Sequence, residues 1–326
     1  MKNGFEIGFH ASHEQFSPSE LVALAVRAEQ NGFDLIMSSD HLNPWSELQG
    51  QSGFTWSWLG AAMQATKHIS FGTIAIPGGW RYHPVMVAQA AATLSEMFPN
   101  RLAWLALGSG EALNESVVSA HWPAKEERNE RMLEGAAIIK ALWEGNTVTK
   151  TGGHHFTCKA RIWSLPEVTP KAIVAALSKR TAAFAAPWAD GLITVNQKEE
   201  ELPAIIKAFR DNGGAGKPVY VQLHISWNSD PELAMTEGFE QWRNNLLSGA
   251  ATEDLRTVQE FEQAGALVTP EDFKQSVLFG SDFDPFLALI RKYKDLGFHG
   301  VVLHNIGKNQ AEFIDAFGKH ILPQLR

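Results

Sequence analysis

Short apolar runs alternate with segments whose apolar residues recur at helical spacing, from one end of the chain to the other. Phe5 to Phe9 is the first run, and His10-Ala11-Ser12 stands at its end. Ser17-Pro18-Ser19-Glu20 then reads as a helix start, with Ser17 as N-cap, Pro18 at the first helical position and Glu20 closing a capping box. Leu21, Leu24, Ala25 and Ala28 follow at helical spacing, Gly32 supplies the stop, and Leu35 to Ser38 is the next strand. One βαβ unit is complete within the first forty residues.

The rhythm continues. Helices are expected over Phe54–Thr66, Pro84–Met97 and about Glu126–Trp143, and strands over Ile69–Ile76 and Arg101–Leu107. The near-continuous apolar character of Ile69–Ile76 marks a strand covered on both faces. Gly145 to Pro170 breaks the pattern with short β-like pieces at Thr147–Thr149 and His155–Thr157, and reads as an insertion rather than a domain boundary. Strands then fall at Ala172–Leu177, Gly191–Val195, Val219–Trp227 and Val301–His304. Helices fall at Ser178–Trp188, Glu199–Asp211, Asp284–Leu296 and Gln310–Leu322, and a long, mostly helical insertion runs from about Pro231 to Gln275. Eight strands alternating with helices, with insertions after strands 4 and 7, predict an α/β protein of the (β/α)8 TIM-barrel class, one domain over residues 1–326. A doubly wound open sheet is the second choice. Against it, the one glycine-rich strand-to-helix turn, GSGEAL, lacks the third glycine of a dinucleotide fingerprint.

Composition narrows the function. A formal net charge of -8 argues against nucleic-acid binding, which needs a basic face. A single cysteine, Cys158, excludes an internal disulfide and suits a reducing compartment. The first residues lack the apolar run of a secretory signal, and no stretch reaches the ~20 apolar residues of a membrane helix. A cytoplasmic protein without nucleic-acid or membrane partners is expected.

Two polar stretches stand where barrel strands end, the place this fold keeps its chemistry. Ser38 to Trp45 reads SSDHLNPW, and Gly108 to Glu115 reads GSGEALNE. His41 is a proton-transfer candidate that a neighbouring carboxylate can tune; the ordinary alternative is a satisfied loop histidine. Asp40 either binds a ligand or caps a turn. Glu111 follows a Gly-Ser-Gly turn that lets backbone approach a ligand; its ordinary alternative is a helix-start glutamate favoured by the dipole. Trp45, Trp80 and Trp104 offer rings for a planar ligand, although core packing is the commoner fate of a strand tryptophan such as Trp104. Lys198 meets either an anionic group or solvent, and His304 and Asn305 end the last strand. No metal is expected: His154 and His155 are adjacent and no third ligand stands at a metal-like spacing. Gly108-Ser109-Gly110 is not the nucleophile elbow of serine hydrolases. Glycosidase-type chemistry on Glu111 and Asp40 stays open.

Taken together, SDHLNPW (Ser39–Trp45), SWLGAA (Ser57–Ala62), RYHP (Arg81–Pro84), GSGEALNE and WADGLITVNQK (Trp188–Lys198) resemble the luciferase-like superfamily of flavin and deazaflavin enzymes. Within it they are most similar to the branch of coenzyme F420-dependent glucose-6-phosphate dehydrogenases, over essentially the whole chain. The resemblance implies a luciferase-like barrel in which His41, Trp45 and Glu111 line the reactive face of the cofactor. Glu111 then gives or takes a proton and Trp45 forms a wall. It further implies cofactor contacts at Asp40, Gly110 and Asn114, a substrate-phosphate contact at Lys198, a small-molecule substrate, and a homodimer by analogy.

The chain departs from that branch at chosen places. Ile76 stands where the F420 enzymes carry a cofactor-contacting threonine, and Leu177-Ser178 where a glycine pair cradles the cofactor phosphate on bare backbone N–H groups. Leu246 to Glu253 holds no Lys or Arg, and Gln275 occupies the place of an arginine, so one lysine is left without partners for a phosphate clamp. Glucose 6-phosphate is therefore not the expected substrate. The WRYHP and LITVN stretches resemble a subgroup that returned from deazaflavin to FMN. The expectation is an oxidoreductase using FMN or F420, transferring hydride to or from a small organic molecule, with monooxygenase activity open if FMN is bound. The alternative is a non-redox barrel: a cofactor-binding protein, or a hydrolase using Glu111 and Asp40.

Overall fold

The computed structural model describes residues 4–196, 201–247, 252 and 254–326. Its strands are β1 (Glu6–Ala11), β2 (Leu35–Ser39), β3 (Ser70–Pro77), β4 (Leu102–Gly108), β5 (Val148–Lys150), β6 (Thr157–Ala160), β7 (Lys171–Ala175), β8 (Leu192–Val195), β9 (Val219–Trp227), β10 (Leu278–Gly280) and β11 (Gly300–Asn305). Its helices, numbered here in chain order, are α1 (Pro18–Gln30), α2 (Thr55–Ala65), α3 (Pro84–Met97), α4 (Ala112–Glu115), α5 (Lys125–Trp143), α6 (Lys179–Ala185), α7 (Glu201–Phe209), α8 (Pro231–Trp242), α9 (Val258–Gly265), α10 (Pro270–Ser276), α11 (Phe283–Asp295) and α12 (Gln310–His320). The fold is the expected (β/α)8 barrel, its eight barrel strands being β1–β4, β7–β9 and β11.

Two compact units share these elements: Met1–Ile69, Ala112–Asn114 and Tyr220–Arg326 form one, and Ser70–Glu111 with Glu115–Val219 the other. The first unit pairs its strands in the order β10-β9-β11-β1-β2, all parallel. β1 and β2 bury Ile7, Phe9, Leu35 and Met37, and Phe33 links Phe9, 6.3 Å away, to Phe313 of α12, 6.5 Å away. At the α1 start Ser17 is the N-cap, its Oγ accepting from the Glu20 backbone N–H at 3.4 Å, while the reciprocal Glu20 bond of the expected capping box is not among the described hydrogen bonds; Gly32 follows the helix end at φ 86°. The insertion after β9 is helical, and its α9 and α10 both begin with complete capping boxes, Thr257 with Glu260 and Thr269 with Asp272. β10, three residues paired to Ile225–Trp227, was not foreseen because three residues carry no readable period.

The second unit pairs β3-β4-β7-β8, again parallel. Trp104 fills its interior against Gly72, where a Cβ would lie 2.4 Å from the indole, so this tryptophan is core, as its strand position suggested. The insertion after α5 is a hairpin of β5 and β6 whose second strand begins at Thr157, later than the expected His155. His154 and His155 instead point their backbone N–H groups at Glu134 Oε1, 3.0 and 2.7 Å away. The helix expected over Ser178–Trp188 is the shorter α6, because Ser178 is its N-cap and accepts from the Thr181 N–H. Glu199–Asp211 resolves into α7 and a wider turn over Arg210–Gly214. No described helix is long and apolar enough to cross a membrane.

Candidate active site

In the first unit the polar run after β1 supplies more than its sequence advertised. Glu14 is 3% exposed, and both Ser12 Oγ and Ser39 Oγ donate to its Oε2, at 2.8 and 2.9 Å. His41 Nδ1 lies 2.6 Å from the other oxygen, Oε1. Burial favours the neutral acid, but the charge and hydrogen bond of the His41 ring, helped by His10 and Ser12, outweigh it and hold the carboxyl well below the usual range. A carboxylate in that position turns Nδ1 of His41 inward and fixes the orientation of the ring. The Trp45 ring meets His41 edge-on at 5.2 Å and Phe261 at the same distance. Its backbone is tied twice, by its N–H to Gln49 Oε1 at 2.9 Å and by its carbonyl to Asn244 Nδ2 at 2.8 Å. Asp40 is buried beside His41.

Asn114 holds the same loop. Its Oδ1 accepts from the backbone N–H groups of Leu42 and Asn43 at 2.7 and 2.9 Å, and Asn43 Nδ2 donates to the Leu113 carbonyl at 2.9 Å. Asn114 is 1% exposed, and its Nδ2 has no acceptor among the described residues. A buried amide donor without a partner costs about 1–3 kcal/mol, a cost that a ligand acceptor removes.

On β1, β9 and β11, His10, His224 and His304 form a cluster, with His304 4.4 Å from His10 and 5.5 Å from His224. Trp242 packs against both His224 and His304. His304 Nε2 contacts Gln15 Oε1 at 2.8 Å and its Nδ1 contacts Gln222 Nε2 at 3.3 Å, which fixes a neutral ring with the proton on Nε2. Asn305, the other residue read at this strand end, ties backbone instead: its Oδ1 accepts from the Trp227 N–H at 2.7 Å.

The second unit brings β4 into the Gly108–Glu111 turn. Gly110 adopts φ 79°, and a Cβ there would lie 3.0 Å from Glu115 Cγ and 3.2 Å from Trp80 Cδ1. Gly110→Ala should therefore lower the urea-unfolding free energy by about 1–2 kcal/mol, the left-handed penalty for a residue with a Cβ. An unchanged midpoint would show that the turn relaxes freely. Glu115 is itself locked, its two oxygens accepting from the Arg81 N–H and Nε, each at 3.0 Å. Ile76 is fully buried and lines a small apolar cavity with Val87, Leu107, Met132 and Ile139. Leu177 is 58% exposed, and Ser178 spends its hydroxyl on capping α6. Lys198 lies outside the described residues.

A (β/α)8 barrel with acid–base groups where its strands end belongs to a class of enzymes built on loops. The particular family follows from comparison with known proteins. The chain belongs to the luciferase-like monooxygenase family, whose model matches residues 4–300. It is 33% identical over 331 residues to a protein of Nocardia farcinica named F420-dependent glucose-6-phosphate dehydrogenase, covering 98% of each chain. A protein of the same name from Nakamurella multipartita is 35% identical over 327 residues, covering 98% of this chain and 96% of that one. Among solved structures, an F420-dependent secondary alcohol dehydrogenase in complex with an F420-acetone adduct superposes with a TM-score of 0.90 at 28% identity, covering 99% of both chains.

Glu14 and Ser12 were not singled out as site residues, although the polar cluster HASHE at a strand end was a signal for them; Ser39 was read only as part of SDHLNPW. Arg128 and Arg131 gave none, because KEERNER reads as a solvated charged face.

Proposed function

We propose that the chain is an oxidoreductase that moves a hydride between F420 or FMN and a small organic substrate. The observation that carries this reading is Asn114 Nδ2, a buried, unspent donor held by the loop that bears His41 and Trp45. It suits the acceptor-rich ring of either cofactor, and the full-length relatives named as F420-dependent agree with it. The bound ring would supply the hydride chemistry; the protein's part is to orient, shield and move a proton. In this reading Asp40, Gly110 and Asn114 contact the cofactor, with Ile76 and Leu177-Ser178 on the same list of contacts. Trp45 walls the ring, His41 faces it, and Glu111 exchanges the proton that accompanies the hydride. Lys198 remains the proposed substrate contact, but 246–253 holds no Lys or Arg, so the substrate carries no phosphate. A homodimer acting in the cytoplasm completes the proposal.

Equilibrium binding of FMN and of F420 to the apo-protein, followed by fluorescence quenching, tests it. Tight FMN binding alone would select the FMN branch and direct the search to oxygen-dependent substrates, with monooxygenase activity among them. Tight F420 binding alone would mean that Ile76 and Leu177 are tolerated, and a panel of alcohols and sugars would then be screened for hydride transfer. Binding of neither removes the reading.

A further inference from the structure

Arg128 and Arg131 stand three residues apart on α5 and so share a face. They repeat one pattern of contacts. Arg128 lies over the Trp122 ring with Cζ 4.6 Å from its centroid, and its Nη1 donates to the Gly110 carbonyl at 3.2 Å. Arg131 lies over the Trp80 ring at 4.1 Å, and its Nη2 donates to the Gly79 carbonyl at 3.3 Å. The two indoles are neighbours, with centroids 5.4 Å apart. Both glycines are left-handed, φ 84° at Gly79 and 79° at Gly110, and each follows the end of its strand, β3 or β4. A Cβ on Gly110 would lie 3.2 Å from Trp80 Cδ1 and 3.4 Å from Trp122 Cη2, so the turn also rests on the indoles.

Arg128 is 3% exposed. Burying a guanidinium is expensive, and the carbonyl and ring contacts offset the cost only while they hold their geometry. The peptide plane gives that geometry a consequence. The Gly110 carbonyl oxygen is coplanar with the nitrogen and Cα of Glu111, so gripping the oxygen fixes the plane from which the Glu111 side chain departs. We propose that Arg128 is the positioning residue of Glu111, acting through the Gly110 carbonyl, and that Arg131 fixes the loop after β3 in the same way. This rests on the reading of Glu111 as the proton-transfer group.

Two measurements test it. Amide hydrogen exchange on the apo-protein should show peptides spanning 106–115 exchanging at least ~10-fold faster in Arg128→Met, with peptides of α12 unchanged as a folding control. Arg128→Lys, which keeps a donor but loses the fork, should fall between. With the substrate that the alcohol and sugar screen or the oxygen-dependent search identifies, Arg128→Met should lower kcat about 10- to 100-fold with KM little moved. In a Glu111→Gln background the same change should cost less than ~3-fold, because the group it positions is already disabled. Unchanged exchange in Arg128→Met overturns the proposal, and so does an equal kcat loss in both backgrounds. If Glu111→Gln alone leaves kcat intact, the role of Glu111 fails; faster exchange in Arg128→Met would then still register the grip on the turn, separating the two failures.

Discussion

Glu111→Gln should lower turnover by roughly 100-fold or more while leaving the Kd for the cofactor within a few-fold of the parent, the scale of losing a general acid or base. Oxidising an alcohol removes a hydride from carbon and a proton from oxygen, and the proton needs a base as the carbonyl forms. Glu111 sits in a tightly held turn: Gly110 is left-handed, its carbonyl accepts from Arg128, and the Glu111 carbonyl accepts from the Glu115 N–H at 3.0 Å. The amide is nearly isosteric, so the packing survives while proton exchange does not. The effect should therefore appear in kcat rather than in cofactor binding. Single-turnover and steady-state rates, measured with the cofactor saturating, check this. A variant that turns over as fast as the parent removes Glu111 from the proton-transfer role and leaves His41 as the remaining candidate.

Much of the fold was legible because a parallel barrel writes itself in local signals. Several barrel strands are near-continuous apolar runs, as in Leu102–Leu107, Val219–Trp227 alternates, and major helices carry a start or stop residue such as Ser17, Pro84 or Gly32. His41 and Glu111 could be singled out as candidates because they stand just beyond such runs, whereas Asn114 came only from the resemblance. What was hidden depends on partners distant in sequence. Nothing near Glu14 says that Ser39, 25 residues on, will hydrogen-bond it, or that His41 will pair with it. Nothing local to Trp122 says that Arg128 will lie over its ring. Ile76 shows the limit from the other side: the resemblance placed it against the cofactor, and its packing with Val87 and Met132 also makes it core.

The buried histidines predict the second large effect, an early acid instability. Burial pushes His10 and His13 down to about 4 and His224 to about 3, and holds His304 well below its ordinary value. Glu14 raises His10 and His13 without offsetting this, and His41 and the other histidines lower them further. Each ring is thus neutral in the folded chain, whereas in the unfolded chain it takes a proton below about 6.5. Stability is therefore complete above pH 6.5 and falls as pH drops from 6.5 toward 4, since only the unfolded state binds the protons. Glu14 acts in the same sense at lower pH, because its carboxylate is stabilised in the fold and an unfolded glutamate protonates near 4.5. Between pH 7.5 and 5.5, His10 and His13 together should remove about 3 kcal/mol, a large share of the ~5–15 kcal/mol that holds a protein folded. Urea midpoints at pH 7.5, 6.5 and 5.5 should fall steadily, where a protein stabilised mainly by surface carboxylates would stay level. His304→Gln should flatten the slope, since Gln can still face Gln15 and Gln222 without a titrating ring. A midpoint that is level down to pH 5.5 would mean that these rings accept protons inside the fold, and that the cluster opens to water without unfolding.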